Sequence, residues 1–190
     1  MSNKAIFLDR DGTLIEEKNY LHRVEDVVFI PQAIEGLALL QKEGFLLFII
    51  TNQSGVGRGF FTLEQVDTVH NFICSKLAEA NIKITKIYVA PEAPDQPSPG
   101  RKPSPKFLFM ARDEFNLSLR DSFMIGDKLI DLECGWNAGV AKSILVRTGY
   151  GTVYEKHNAP LLQHTPVVDD LNQAAAWILN HRPHRSTRSP

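Results

Sequence analysis

The stretch Ala5-Ile6-Phe7-Leu8-Asp9-Arg10-Asp11-Gly12-Thr13 sets the fold class. Four apolar residues in succession suit a strand covered on both faces, and the abrupt change to two carboxylates and a glycine marks its exit. Carboxylates at i and i+2 of such an exit can converge on one site, while Gly12 lets the backbone turn sharply towards a ligand. Taken alone the fragment is ordinary, because many strands of α/β proteins end in Asp.

Working outward, further apolar runs at Phe45–Ile50, Lys86–Ala90, Ser122–Ile125 and Lys142–Val146 read as buried strands. Between and after them, helical patterns cover Ala33–Lys42, Leu63–Ala80, Pro105–Phe115, Ile130–Ala138 and Leu171–Leu179, the last expected against the sheet edge. This alternation predicts an α/β fold, a Rossmann-like doubly wound parallel sheet, with no internal repeat. The second helix is the clearest. Thr62 and Gln65 have capping-box spacing, and Val66, Val69, Ile73 and Leu77 form one apolar stripe. Its His70 and Cys74 read as packing or surface residues. One domain over residues 1–181 is expected, with residues 182–190 a polar tail.

Composition narrows the function. The 190 residues carry 21 Lys+Arg against 22 Asp+Glu, a formal charge of -1, which argues against a nucleic-acid partner. With 43% hydrophobic and 23% charged residues, the chain can bury a core without staples. Cys74 and Cys134 have no paired spacing, so a reducing, cytoplasmic location is expected. The longest apolar run is far short of the ~20 residues a membrane helix needs, and the first residues lead directly into a strand with no signal-like region. No membrane partner is expected, and a free-standing monomer is the default.

Three further signals follow predicted strands. Thr51-Asn52-Gln53-Ser54 offers compact hydroxyl and amide donors suited to phosphate oxygens. Arg101-Lys102-Pro103 puts two cations before a helix N-terminus, which itself favours anions. Gly126-Asp127-Lys128, with Asp131, brings more carboxylates. Each has an everyday explanation as a turn, a solvated basic pair or an acidic helix start. Together with Asp9 and Asp11, however, all four are delivered to the carboxyl edge of the sheet, where open α/β folds bind ligands. Two long connections, Asp9–Ile30 and the proline-rich Ala90–Ser104, should shape that edge. Carboxylates set against a strong cation suggest Mg²⁺, a hard ion bound by oxygen.

The ordered set DRDGT, TNQSG, RKP and GDK resembles the haloacid dehalogenase superfamily of Mg²⁺-dependent phosphotransferases, over nearly all of Ala5–Gly151. FLDRDGTL, TNQSGVGRG, SFMIGDKLIDLECGWNAGV, LVRTG and Tyr20-Leu21-His22 are most similar to its heptose bisphosphate phosphatase branch, the sister of the histidinol-phosphate phosphatases. The resemblance implies a fold without a separate cap domain. It also implies hydrolysis of the 7-phosphate of D-glycero-D-manno-heptose 1,7-bisphosphate through an aspartyl-phosphate, a small phosphorylated sugar being the partner. Asp9 would be the nucleophile and Asp11 the general acid and base. Thr51 and Lys102 would hold the phosphoryl oxygens, and Mg²⁺ would be bound by Asp9, the Asp11 carbonyl and Asp127. Tyr20, Asn52, Gln53, Ser54, Arg101 and Lys128 form the implied substrate-binding set. Asp131 is expected to orient Lys128 or a metal-bound water, and residues Glu17 to Tyr20 to approach the sugar.

One departure from the branch stands out. Its common zinc loop has three Cys and one His, and the corresponding positions here are Ala90, Glu92, Ser98 and Gly100. No structural zinc is expected, and the prolines of this loop would restrict its unfolded conformations instead. Gly55, Gly57 and Gly59 do not complete a dinucleotide fingerprint and are expected to form a flexible turn, with Arg58 available to an anion. The alternatives are a histidinol-phosphate or other sugar-phosphate phosphatase and, as a different class, an inert module that captures a phosphorylated ligand. Retention of Asp9, Asp11, Lys102 and Asp127 favours an enzyme.

Overall fold

The computed structural model describes residues 2–181 of the protein, so the expected tail at residues 182–190 lies outside the described residues. Six parallel strands, β1 (Lys4–Leu8), β2 (Phe45–Asn52), β3 (Ile84–Ala90), β4 (Phe123–Gly126), β5 (Lys142–Val146) and β6 (Val167–Val168), form one sheet in the order β3-β2-β1-β4-β5-β6. The order reverses beside β1, so the exits of β1 and β4 flank the crevice where doubly wound sheets bind ligands.

Alternation along the strands feeds two helical layers. Ile6 and Leu8 of β1, with Leu47 and Ile49 of β2, pack into a core with α1 (Ala33–Lys42), α2 (Leu63–Glu79) and α6 (Leu171–Asn180). Ala5 and Phe7, with Phe48 and Ile50, face α3 (Lys106–Phe115) and α4 (Leu129–Ala138). Period-two alternation inside a wholly apolar run therefore divides one strand between two cores. Residues between β1 and α1 fold back as a small flap, through bridges of Ile15 to Asp11 and to Phe29 and a 3-10 turn at Val24–Asp26. Neither long connection holds a separate domain among the described residues. No helix among them is long and apolar enough to cross a membrane.

The predicted elements lie where the sequence places them, within a few residues at their ends. The Thr62–Gln65 capping box is present, with Thr62 N–H donating to Gln65 Oε1 at 2.9 Å and Gln65 N–H to Thr62 Oγ1 at 3.3 Å. Two elements were not anticipated. β6 is only two residues long and is recognised by its pairing with Leu145 and Val146. Helix α5 (Gly151–His157) opens on Gly and has no apolar stripe, since Gly151 is its sole buried residue. α6 packs against the sheet edge as expected, touching β5 and β6, and it also lies alongside α1, where Gly36 sits against the Leu171 and Asn172 backbone.

His70 is not a surface residue. It lies on the buried stripe of α2, 5% exposed, with Nε2 3.2 Å from Arg10 Nη1. The guanidinium is always a donor, so Nε2 is the acceptor and the ring is neutral. Burial, with the Arg10 charge second, pushes its pKa down to about 3. Between that value and the ordinary 6.5 the unfolded chain binds a proton that the folded chain refuses, so acidification favours unfolding. His70→Gln keeps an acceptor and removes the titration. Its loss of melting temperature between about pH 7 and about pH 5 should be smaller than the wild type's, and an equal loss would contradict the assignment.

Candidate active site

The ends of β1, β2 and β4 bring Asp9, Thr51 and Asp127 to one edge of the sheet, the first turn of α4 adds Asp131, and the loop after β3 returns Lys102 into it. Lys102 is buried, and its Nζ lies 2.6 Å from Asp9 Oδ1 and 2.6 Å from Asp131 Oδ1. Burial opposes its charge, but the Asp131 and Asp9 carboxylates outweigh that penalty and hold the ammonium protonated. Asp131 thus pairs with Lys102 and not with the Lys128 side chain; to Lys128 it offers only Oδ2, which accepts the backbone N–H at 2.9 Å. The Lys128 ammonium instead donates to Glu17 at 2.8 Å and lies 4.8 Å from the centre of the Tyr150 ring.

Asp127 is completely buried. Its Oδ2 accepts the Tyr150 N–H at 2.9 Å, while Oδ1 has no hydrogen-bond partner. Burial and the neighbouring Asp9 charge raise its proton affinity. Gly12, at φ +85°, and Gly149 press against this carboxylate, and a Cβ on either would overlap Asp127 Oδ2. Asp9, Asp127 and Asp131 each offer an oxygen within 4.8 Å of the others. One ammonium against three carboxylates leaves two negative charges, which a divalent cation balances. The oxygen-only donor set and the orphaned Asp127 Oδ1 fit a hard ion such as Mg²⁺.

Above this cluster opens a cavity of about 380 Å³. Its walls include the predicted Asp9, Asp11, Tyr20, Thr51, Asn52, Gln53, Ser54, Lys102 and Lys128. The positions Asn19 and Tyr20 lie in the left-handed region, at φ 32° and 62°, an arrangement that costs energy in non-glycine residues. Tyr20 contacts Phe60 edge-on, with ring centres 4.8 Å apart, at the mouth.

Several predicted binding residues are already committed to the protein. Asn52 accepts the Lys102 N–H at 3.0 Å and donates to the Lys102 carbonyl at 3.3 Å, so its amide fixes the lysine loop. Gln53 accepts from Arg10 at 3.1 Å and donates to Asp11 Oδ2 at 3.0 Å and Thr51 Oγ1 at 2.7 Å, which uses both amide hydrogens. Arg101 does not line the cavity: its Nη1 donates to the Glu92 carbonyl at 3.2 Å, beside Arg58. The expected flexible turn is closely packed, with Gly55 against the Phe61 ring and Gly57 against the Ala93 backbone. In the proline-rich loop, Ser98 donates to Glu92 at 2.5 Å, and Gly100 lies against the Phe107 ring.

Sequence reasoning passes over Arg10, although it lies between two carboxylates, and over Tyr150 and Tyr154, which the N-cap and first turn of α5 add to the cavity wall. A signal for His70 was present in its spacing, four residues after Val66 and three before Ile73 on the apolar stripe.

The chain is similar to known proteins over most of its length. Residues 100–174 match a family model described as HAD-hydrolase-like. The chain is 36% identical over 183 residues to D-glycero-beta-D-manno-heptose-1,7-bisphosphate 7-phosphatase of Escherichia coli, covering 93% of this chain and 88% of that protein. It is 38% identical over 197 residues to the D-glycero-D-manno-heptose-1,7-bisphosphate 7-phosphatase of Chlorobaculum tepidum, covering 96% and 97% of the two chains. Among solved structures, the D,D-heptose 1,7-bisphosphate phosphatase of B. bronchiseptica, complexed with magnesium and phosphate, aligns at a TM-score of 0.87 with 27% identity, over 94% of this chain and 99% of that one. The chain is therefore a phosphoric monoester hydrolase and belongs to the heptose 1,7-bisphosphate 7-phosphatase family of haloacid dehalogenase-like hydrolases.

Proposed function

We propose that the protein hydrolyses the 7-phosphate of D-glycero-D-manno-heptose 1,7-bisphosphate, with Asp9 as nucleophile, in one domain over residues 1–181. The observation that carries this reading is the buried Asp9–Lys102–Asp131 chain, which lines a polar cavity, beside the orphaned Asp127 oxygen. Asp9, the Asp11 carbonyl and Asp127 would hold Mg²⁺. When bound, the ion supplies positive charge that offsets repulsion between carboxylate and phosphate and polarises the phosphoryl group.

An Asp9 carboxylate oxygen forms a bond to phosphorus as the bond from phosphorus to the sugar oxygen breaks. Asp11 gives its proton to that departing oxygen. In the second half, Asp11 takes a proton from water, the water oxygen bonds to phosphorus, and the bond to Asp9 breaks to release phosphate. Thr51 is prepared for this work, because Gln53 donates to its oxygen and leaves the hydroxyl hydrogen free for a phosphoryl oxygen. Lys102 supplies a fixed charge where negative charge develops. Ser54, Tyr20 and Lys128 line the remaining wall for the sugar, while Asn52 and Gln53 act by holding Lys102, Thr51 and Asp11. Arg101 and Arg58 stand outside the wall as cations for the substrate's remaining phosphate.

We also assign no structural zinc to the Ala90–Ser104 loop, because two of the positions considered for ligands, Glu92 and Ser98, bond to each other. Metal analysis of the purified protein should find no stoichiometric zinc, and finding it would overturn this assignment. Phosphate release should depend on added Mg²⁺ and be fastest, by kcat/KM, with a heptose 1,7-bisphosphate among both of its anomers, histidinol phosphate and other sugar phosphates. Asp9→Asn should retain the fold and lower kcat by more than about 1,000-fold. Full activity in that variant, or a preference for histidinol phosphate, would contradict the proposal.

A further inference from the structure

Arg10 is among the largest completely enclosed side chains of the protein, at 1% exposure, and its guanidinium faces the catalytic edge. Nε donates to Asp11 Oδ2 at 2.9 Å and Nη2 to Asp11 Oδ1 at 3.0 Å, a two-bond fork on one carboxylate. Nη2 also reaches Gln53 Oε1 at 3.1 Å and the Leu21 carbonyl at 3.4 Å, and Nη1 meets His70 Nε2 at 3.2 Å. The arginine thus ties the Asp11 carboxylate to β2, to the flap after β1 and to α2.

A carboxylate has about four lone-pair sites, two on each oxygen. On Asp11, Oδ2 accepts from Arg10 and from Gln53, which fills it, whereas Oδ1 accepts from Arg10 alone. One site remains, on Oδ1, and the Asp11 side chain retains 15% exposure towards the cavity. We infer that Arg10, supported by His70, is a positioning residue that locks the Asp11 carboxylate so that Oδ1 is the oxygen that exchanges the proton with the leaving group. The inference rests on the role proposed above for Asp11. A lysine at position 10 could not reproduce the clamp, since a single ammonium lacks the planar fork. The neutral imidazole of His70 supplies an acceptor to a buried guanidinium edge that would otherwise be unpaired.

The test separates positioning of an acid from general damage. Phosphate esters of good leaving groups need no proton as they depart, whereas alkyl esters do. With p-nitrophenyl, phenyl and ethyl phosphates, kcat/KM reports the step in which the leaving group departs. Arg10→Gln should lower kcat/KM for ethyl phosphate by about 30-fold or more beyond its effect on p-nitrophenyl phosphate, steepening the dependence on leaving-group basicity. Arg10→Lys keeps the buried charge and should show the same selectivity if the Gln variant does not fold. His70→Leu should show it more weakly, and His70→Gln should restore the wild-type dependence. Equal losses on all three esters in both Arg10 variants would overturn the inference. Asp11→Asn is the control on the underlying assignment: selectivity there without selectivity in the Arg10 variants rejects the role of Arg10 alone, and its absence there rejects Asp11 as the acid.

Discussion

A single buried ammonium governs the catalytic edge. Charges taken out of water must be paired, and removing one partner of such a pair leaves a strongly penalised ion. Lys102 Nζ bridges Asp9 and Asp131 at 2.6 Å on each side, so the exit of β1 and the first turn of α4 are held together by one cation from the loop after β3. That loop is in turn held by the two bonds between Asn52 and the Lys102 backbone, which recruit the exit of β2. Three chain segments supply the charges of this balance, and the exit of β2 fixes the backbone that carries the cation.

The same balance leaves one acceptor of the cluster unmatched. Lys102 is hydrogen-bonded to Asp9 and ion-paired with Asp131, but it leaves Asp127 Oδ1 bare. The ammonium of Lys128 does not fill the gap, because it is engaged with Glu17 at the cavity wall. Gly12 and Gly149 keep side-chain atoms away from Asp127, preserving the close approach of the two backbones around it. Residual negative charge in a buried, oxygen-lined cluster suits a hard divalent ion, which takes oxygen ligands. The polar contacts around Asp11 complete the picture, since every donor there is directed so that a single oxygen position remains accessible.

Much of the fold is legible in the sequence. Strands such as Ala5–Leu8 are buried on both faces and so appear as unbroken apolar runs, and the polar residues at their exits mark the functional edge. Asp9, Thr51, Lys102 and Asp127 were accessible to reading because each follows or precedes a recognisable element. The pairing of Arg10 with His70 is not legible, because it is a contact across 60 positions of sequence that periodicity does not encode, although the spacing of His70 marks its burial. Asn52 and Gln53 were read as recognition residues because sequence reveals which groups can donate but not which are already engaged. α5 and β6 escaped because their short segments are stabilised by tertiary pairing and contain too few residues to establish a period.

The central claim is that Asp9 carries the phosphoryl group between the two half-reactions. The most direct measurement is to quench the enzyme during turnover, reduce with borohydride and map the modified residue by mass spectrometry. The account predicts conversion of Asp9 to homoserine, dependent on substrate and absent from Asp9→Asn. Turnover with no modified residue at position 9, or with the modification at Asp11, Asp127 or Asp131, would contradict it.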